Sequence, residues 1–301
     1  YKRQAPPSSP REVCTLDNAL VGMTASLRDS LDRQVTEAKA REAAEGELRV
    51  ARQMQESLLP AAMTNGQLDA LGVCVFGMNV PARAVAGDFY DHFLDVRGRL
   101  VVCVADVSGK GARAALLAAV ARTALRAAAD AADGPGELVA AVNAALLRTT
   151  RDTRGSFITM FVAHVEPGGR ITYANAGHPP AAVVTAAGQV APVGPPTGLI
   201  VGVADAPELN AHTAALELPD DWRHLVIVTD GFTEATPPGE DLHMLGEAGL
   251  HATLGETTDL KSEAVAAALT AAVERHEGPE RSDDLTILVL SRPGSRSEGV
   301  L

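Results

Sequence analysis

From residue 71 onward the apolar segments come in an order that departs from regular βαβ alternation. LGVCVFGMNV (71–80) alternates in part, and FYDHFLDVRGRLVVCVAD (89–106) follows with a glycine turn at Gly98. These patterns predict strands, the second an antiparallel hairpin that ends at Asp106. Next come GARAALLAAVARTALRAAAD (111–130), rich in alanine and leucine and free of breakers, and GELVAAVNAALLRT (136–149). Both predict helices. FITMFVAHVEPGGRITYANAGHPPAAVVTAAG (157–188) predicts three strands with turns at PGGR and NAGHPP. The stretch 186–224 is rich in Pro, Gly and Ala and should hold a loop and a further strand. RHLVIVTDGF (223–232) predicts a strand ending at Asp230, SEAVAAALTAAVERH (262–276) a helix with Ser262 as N-cap, and DDLTILVL (283–290) a last strand. Consecutive hairpins with clustered helices favour antiparallel sheets covered by helices over a doubly wound parallel sheet.

Upstream the pattern differs. Residues 1–20 begin Pro- and Ser-rich and are expected to be a disordered linker or tail. Residues 21–60 form a helical connector. Leu27, Leu31, Val35 and Ala38 recur at spacing three or four, and Leu48, Ala51, Gln55 and Leu58 repeat the pattern after a weak patch at Gly46. This reads as one long helix or two, ended by Pro60. Its narrow apolar stripe suits a helix that pairs across a two-fold axis, as a homodimer, or packs on a domain surface. A passive spacer is the alternative. The main domain is expected over 61–292, with a tail at 293–301.

Composition narrows the function classes. The 301 residues are 46% hydrophobic, enough for a packed core, and the formal net charge is −12. That balance argues against non-specific grip on nucleic acid or an anionic membrane. Aromatics at 3% leave little for base stacking. The 3 cysteines, Cys14, Cys74 and Cys103, have no metal-ligand spacing. There is no signal peptide and no long unbroken apolar run, so a cytoplasmic protein without membrane insertion is expected.

Acidic residues sit at the edges of the apolar strands. Asp88 follows Gly87, Asp106 follows LVVCVA, Asp230 follows LVIVT, and Asp283 and Asp284 precede LTILVL. A carboxylate at a buried strand end is costly unless paired or metal-bound. A lone one is commonly a cap or turn former, but recurrence at four strand edges points to a shared role. Oxygen ligands with almost no Cys or His nearby suit Mg²⁺ or Mn²⁺. Two such ions bind a phosphoryl oxygen and turn water into a hydroxide nucleophile, which predicts a two-metal hydrolase. SGKG (108–111) lacks the P-loop spacing. Lys110 reads as a solvated lysine or a local counter-charge, His178 and His92 as structural, and Ser108 as a turn residue.

The ordered set AGDFYD (86–91), DVSGKG (106–111), NAGHPP (175–180), TDGFTEA (229–235) and DDLTILVL (283–290), with QMQESLLP (53–60) before it, resembles the bacterial PP2C-like serine/threonine phosphatases of the SpoIIE/RsbU type. The resemblance implies an α-β-β-α sandwich of two mainly antiparallel sheets flanked by helices, with an N-terminal helical extension. It implies two Mn²⁺ or Mg²⁺ ions held by Asp88, Asp106, Asp230 and Asp283, with the Val107 backbone carbonyl as a further ligand and Asp284 as the rival of Asp283. The same four carboxylates would be catalytic through the hydroxide. The implied substrate is a phosphorylated STAS-type anti-anti-sigma factor in sigma-factor regulation and stress-response signalling. An upstream sensory domain such as PAS or GAF would act through the helix. Ala86 departs from the family's usual glycine, a small cost unless the backbone there needs positive φ. The phosphate-holding arginine of eukaryotic members has no evident match. Two readings remain beside this one: a pseudophosphatase scaffold that docks a partner without hydrolysis, and a two-metal phosphohydrolase acting on a small molecule.

Overall fold

The computed structural model describes residues 10–63, 68–149, 155–239, 243–278 and 281–292. The tail expected at 293–301 and the start of the expected linker lie outside the described residues. The chain divides into two compact units, residues 1–50 and 51–301.

Helix α1 runs Pro10–Leu58. Helix therefore begins within the stretch expected to be a linker through residue 20. Proline is tolerated at the first helical position, and nothing between Arg11 and Leu20 breaks a helix. Gly46 does not divide it either, because the glycine costs only about 1 kcal/mol among good helix formers. The helix stops ahead of Pro60, whose ring disfavours helical backbone in the residue before it. Leu27, Leu31 and Val35 stand exposed. Among the described residues no helix is long and apolar enough to cross a membrane.

The second unit holds β1 (Cys74–Val80), β2 (Phe89–Leu94), β3 (Leu100–Val107), α2 (Ala112–Ala128), α3 (Pro135–Thr149), β4 (Ile158–Val165), β5 (Ile171–Ala176), β6 (Ala181–Thr185) and β7 (Val190–Val193). Then follow α4 (Ala206–Leu209), β8 (Ala214–Ala215), β9 (Trp222–Val228), α5 (Asp230–Thr233), α6 (Gly246–Gly255), α7 (Ser262–Glu277) and β10 (Leu285–Ser291). The strands form two five-stranded sheets, ordered β1-β10-β9-β6-β7 and β2-β3-β4-β5-β8. Every ladder between named strands is antiparallel. This is the expected α+β sandwich.

Three apolar layers explain the run-like strand sequences. Val102, Val104, Phe161, Leu225, Ile227 and Leu288 pack between the sheets. The opposite faces carry Val101, Cys103 and Val162 against α2 and α3, and Val226, Ile287 and Val289 against α6 and α7. Central strands covered on both faces cannot alternate, so LVVCVA reads as continuous hydrophobicity. Helix α2 buries Ala114, Leu117, Ala118, Ala121 and Leu125, a face at helical spacing. Helix α6 was not anticipated, since its glycines weaken the local signal; buried Leu250 and Leu254 hold it in place. Ser262 is not the N-cap of α7. Lys261 takes that position, and the Ser262 hydroxyl donates to Ser291 Oγ at 2.9 Å.

The second aspartate of AGDFYD is structural. Asp91 on β2 is fully buried. Its Oδ2 accepts from Arg122 Nε at 2.9 Å and from Arg126 Nε at 2.7 Å, both on α2. The Arg126 guanidinium also lies 4.5 Å over the Phe93 ring. The pairing ties helix to sheet at the back of the strand that Asp88 precedes.

Candidate metal centre

Sheet register brings the acidic strand ends together. Phe89 pairs with Ala105, so Asp88 and Asp106 lie side by side. In the other sheet Val80 pairs with Leu285 and Val228 with Ile287. That places Asp230, just past β9, beside Asp283 and Asp284, just before β10. The Thr229 amide donates to the Thr286 carbonyl at 3.1 Å and pins this junction. Gly231 is required there, because a Cβ would come within 2.0 Å of the Asp284 carbonyl.

The carboxylates feel one another. Burial, then the Asp106 charge, pushes Asp88 well above the usual carboxylate range. The two side chains act on each other directly, in a way that raises Asp88 and lowers Asp106. Asp106 is raised by burial and by Asp283, Asp284 and Glu234. Asp230 is pushed up to about 6 by burial and then by Asp106, Glu234 and Asp283. Such crowding of buried acids opposes ionisation unless a cation is supplied.

Asp283 and Asp284 have different work. Asp284 Oδ1 accepts the Ala82 amide at 2.8 Å and Oδ2 the Gly87 amide at 2.6 Å. Its carboxylate thus clamps the loop that delivers Asp88. Asp283 Oδ1 accepts the Asp284 amide at 2.9 Å, and Oδ2 faces Lys110 Nζ at 2.8 Å. The side chain free of backbone duty toward the loop is Asp283.

Asp88 Oδ2 is buried without a hydrogen-bond partner. An orphaned carboxylate oxygen under the charges of Asp106 and Asp284 suits a hard divalent cation by its chemistry. Among the described residues, however, no three His, Cys, Asp or Glu side chains already converge as a metal site.

The remaining sequence candidates fall as structural. Ser108 Oγ accepts the Phe157 amide at 2.8 Å and its own amide donates back to the Phe157 carbonyl, so the hydroxyl joins β3 to β4. His178 is buried and pushed down to about 4 by desolvation, with Nδ1 3.0 Å from Thr159 Oγ1. Ala86 carries no positive φ, so its methyl is unstrained.

Two participants, Glu234 and Gln55, escaped the sequence reading. Of the two readings of Lys110 the counter-charge is the one seen, since its ammonium pairs with Asp283. Glu234 adds charge to the cluster. Gln55 binds Ala86 as a strand neighbour would: Nε2 donates to the Ala86 carbonyl at 2.8 Å and Oε1 accepts its amide at 2.9 Å. Only the position of Gln55 inside QMQESLLP hinted at this. An apolar cavity of about 640 Å³ opens beside it, lined by Met54, Leu58, Phe89, Leu116 and Asp88 among others.

Comparison with known proteins agrees with this architecture. The family described as stage II sporulation protein E (SpoIIE) matches residues 97–293. That span contains Asp106, Asp230, Asp283 and Asp284; Asp88 and Gln55 precede it. Protein IcfG of Synechocystis sp. is 26% identical over 310 residues, covering 93% of this chain and 46% of that protein. The phosphoserine phosphatase RsbU of Bacillus subtilis is 26% identical over 189 residues, covering 62% of this chain and 53% of RsbU. The chain thus spans about half the length of these curated relatives. The SiaA-PP2C domain of Pseudomonas aeruginosa superposes with a TM-score of 0.69 at 20% identity, covering 84% of this chain and 98% of that one. At that identity the superposition speaks to fold.

Proposed function

The chain belongs to the SpoIIE family of PP2C-like serine/threonine phosphatases, and on that premise we propose that it removes phosphate from serine or threonine of a protein, a phosphorylated STAS-type anti-anti-sigma factor. The observation that carries the reading is the group of mutually repelling carboxylates at adjoining strand ends, with Asp88 Oδ2 unpartnered. Asp88, Asp106, Asp230 and Asp283, with the Val107 carbonyl, would hold two Mn²⁺ or Mg²⁺ ions. Such ions, when bound, neutralise phosphoryl oxygens and make water nucleophilic at neutral pH.

The chain's own residues supply the frame. Asp106 is acted on by Asp88, Asp283, Asp284 and Glu234 and itself acts on Asp230, and it is assigned the central place. Asp284 fixes the 82–87 loop, and Asn79 Nδ2 donates to the Asp88 carbonyl at 3.0 Å. The Ser108 hydroxyl is engaged by backbone, which supports direct attack by water over a phosphoserine intermediate.

The test is phosphate release from phosphorylated STAS proteins of the same genome, with Mn²⁺ and with EDTA, beside p-nitrophenyl phosphate. Metal-dependent release from the protein substrate is expected. Release from the small ester alone would favour the small-molecule phosphohydrolase. No release from either, with metal bound, would favour the scaffold. Homodimerisation through α1 and control by a PAS or GAF domain belong to the same reading.

Gln55→Ala provides a separate check. It strips the Ala86 amide and carbonyl of their partners, each a loss of about 1 kcal/mol or more where water cannot replace them. The loop carrying Asp88 then loosens. Turnover is expected to fall about tenfold and Mn²⁺ affinity with it, as for loss of an outer-shell partner. Thermal unfolding should shift little. Unchanged turnover and affinity would make the helix end a spacer.

A further inference from the structure

We propose that Lys110 is the resident counter-cation of Asp283, one that an incoming divalent ion must displace, so that this lysine sets how tightly the carboxylate group takes metal. The inference rests on the metal reading above and deepens it. Lys110 lies in the turn between β3 and α2, on backbone bent by Gly109 (φ 98°) and Gly111 (φ 81°). Only glycine adopts such angles cheaply, so the turn is built to carry the lysine where it stands. From there the ammonium crosses to the segment before β10. Nζ donates to Asp283 Oδ2 at 2.8 Å and to the Ser282 carbonyl at 2.9 Å. The carbonyl contact holds the ammonium in place independently of the carboxylate.

Asp283 Oδ1 is already engaged by the Asp284 amide, so Oδ2 is the oxygen with a negotiable partner. A metal ion at Asp283 competes with Lys110 for it. The electrostatics act twice in the same direction. Without metal, Lys110 offsets repulsion among Asp283, Asp106 and Asp230, whose charges act on one another. With metal, its positive charge opposes the ion. Removing it raises the free energy of the metal-free chain and lowers that of the loaded one, and both changes tighten binding. The Lys110 and Asp283 side chains are 43% and 39% exposed, so solvent screens the effect. The expected gain is roughly tenfold, not the far larger figure of a buried pair.

The experiment is calorimetric titration of Mn²⁺ into the full chain, Lys110→Met, Lys110→Gln, Asp283→Asn and the double variant Lys110→Met/Asp283→Asn, at one pH. Circular dichroism melts establish that each is folded. Both lysine variants should bind Mn²⁺ about tenfold tighter, and the gain should vanish on the Asp283→Asn background. Unchanged or weaker binding in the lysine variants, with Asp283→Asn still impaired, overturns the role of Lys110 and leaves the metal reading intact. Unaltered affinity in Asp283→Asn removes both.

Discussion

Asp106→Asn is expected to abolish phosphate release at saturating Mn²⁺, by on the order of a hundredfold or more. Loss of an outer-shell partner already costs about 10–100-fold in metal affinity or activity. A carboxylate assigned to the ions themselves should exceed that. Asp106 is the natural choice because its charge is felt by Asp88 and by Asp230, while Asp283, Asp284 and Glu234 act on it in turn. Asparagine keeps the shape and removes the charge, so folding should survive. Steady-state release from a phosphorylated protein, with a parallel Mn²⁺ titration, separates lost metal from lost chemistry. A rate within a few-fold of the unmodified chain would remove Asp106, and with it the assigned centre.

Most of the fold was legible because its signals are local. The breaker-free alanine-rich stretch gave α2, and the uninterrupted LVVCVA gave a strand covered on both faces. The elements missed are those held by tertiary packing. Helix α6 contains three glycines and depends on buried Leu250 and Leu254. The start of α1 was hidden by the Pro-rich opening. At the site, the acidic types and their strand-edge positions could be read directly. Their division of labour could not. Asp283 and Asp284 are adjacent and chemically identical, and what tells them apart is tertiary: the Ala82 and Gly87 amides on Asp284 and Lys110 on Asp283. Lys110 and Gln55 each act on a residue far away in sequence, a relation that spacing does not encode.

The motif AGDFYD contains two aspartates whose substitution should move stability in opposite directions. Asp91→Asn is expected to destabilise the chain by about 3 kcal/mol, the lower end for breaking a buried pair. Its carboxylate is fully buried and is shared by two guanidiniums, of which Arg122 is only 12% exposed and Arg126 42%. Asparagine leaves both cations facing an amide, and the exposed share of Arg126 is why the loss stays below the upper limit. Asp88→Asn should do the reverse in the absence of metal. Burial and the neighbouring Asp106 charge work against its ionised form, so removing the carboxylate relieves repulsion. Stability should hold or rise by about 1 kcal/mol, as when a group kept for function is replaced. Urea unfolding midpoints at neutral pH, in EDTA, measure both. Adding Mn²⁺ should then stabilise the unmodified chain and the Asp91→Asn chain, but not Asp88→Asn, because ligand binding to the folded state raises its stability by mass action. Equal losses in the two variants would mean that Asp88, like Asp91, is there to hold the fold, and would leave the metal centre without its most buried carboxylate.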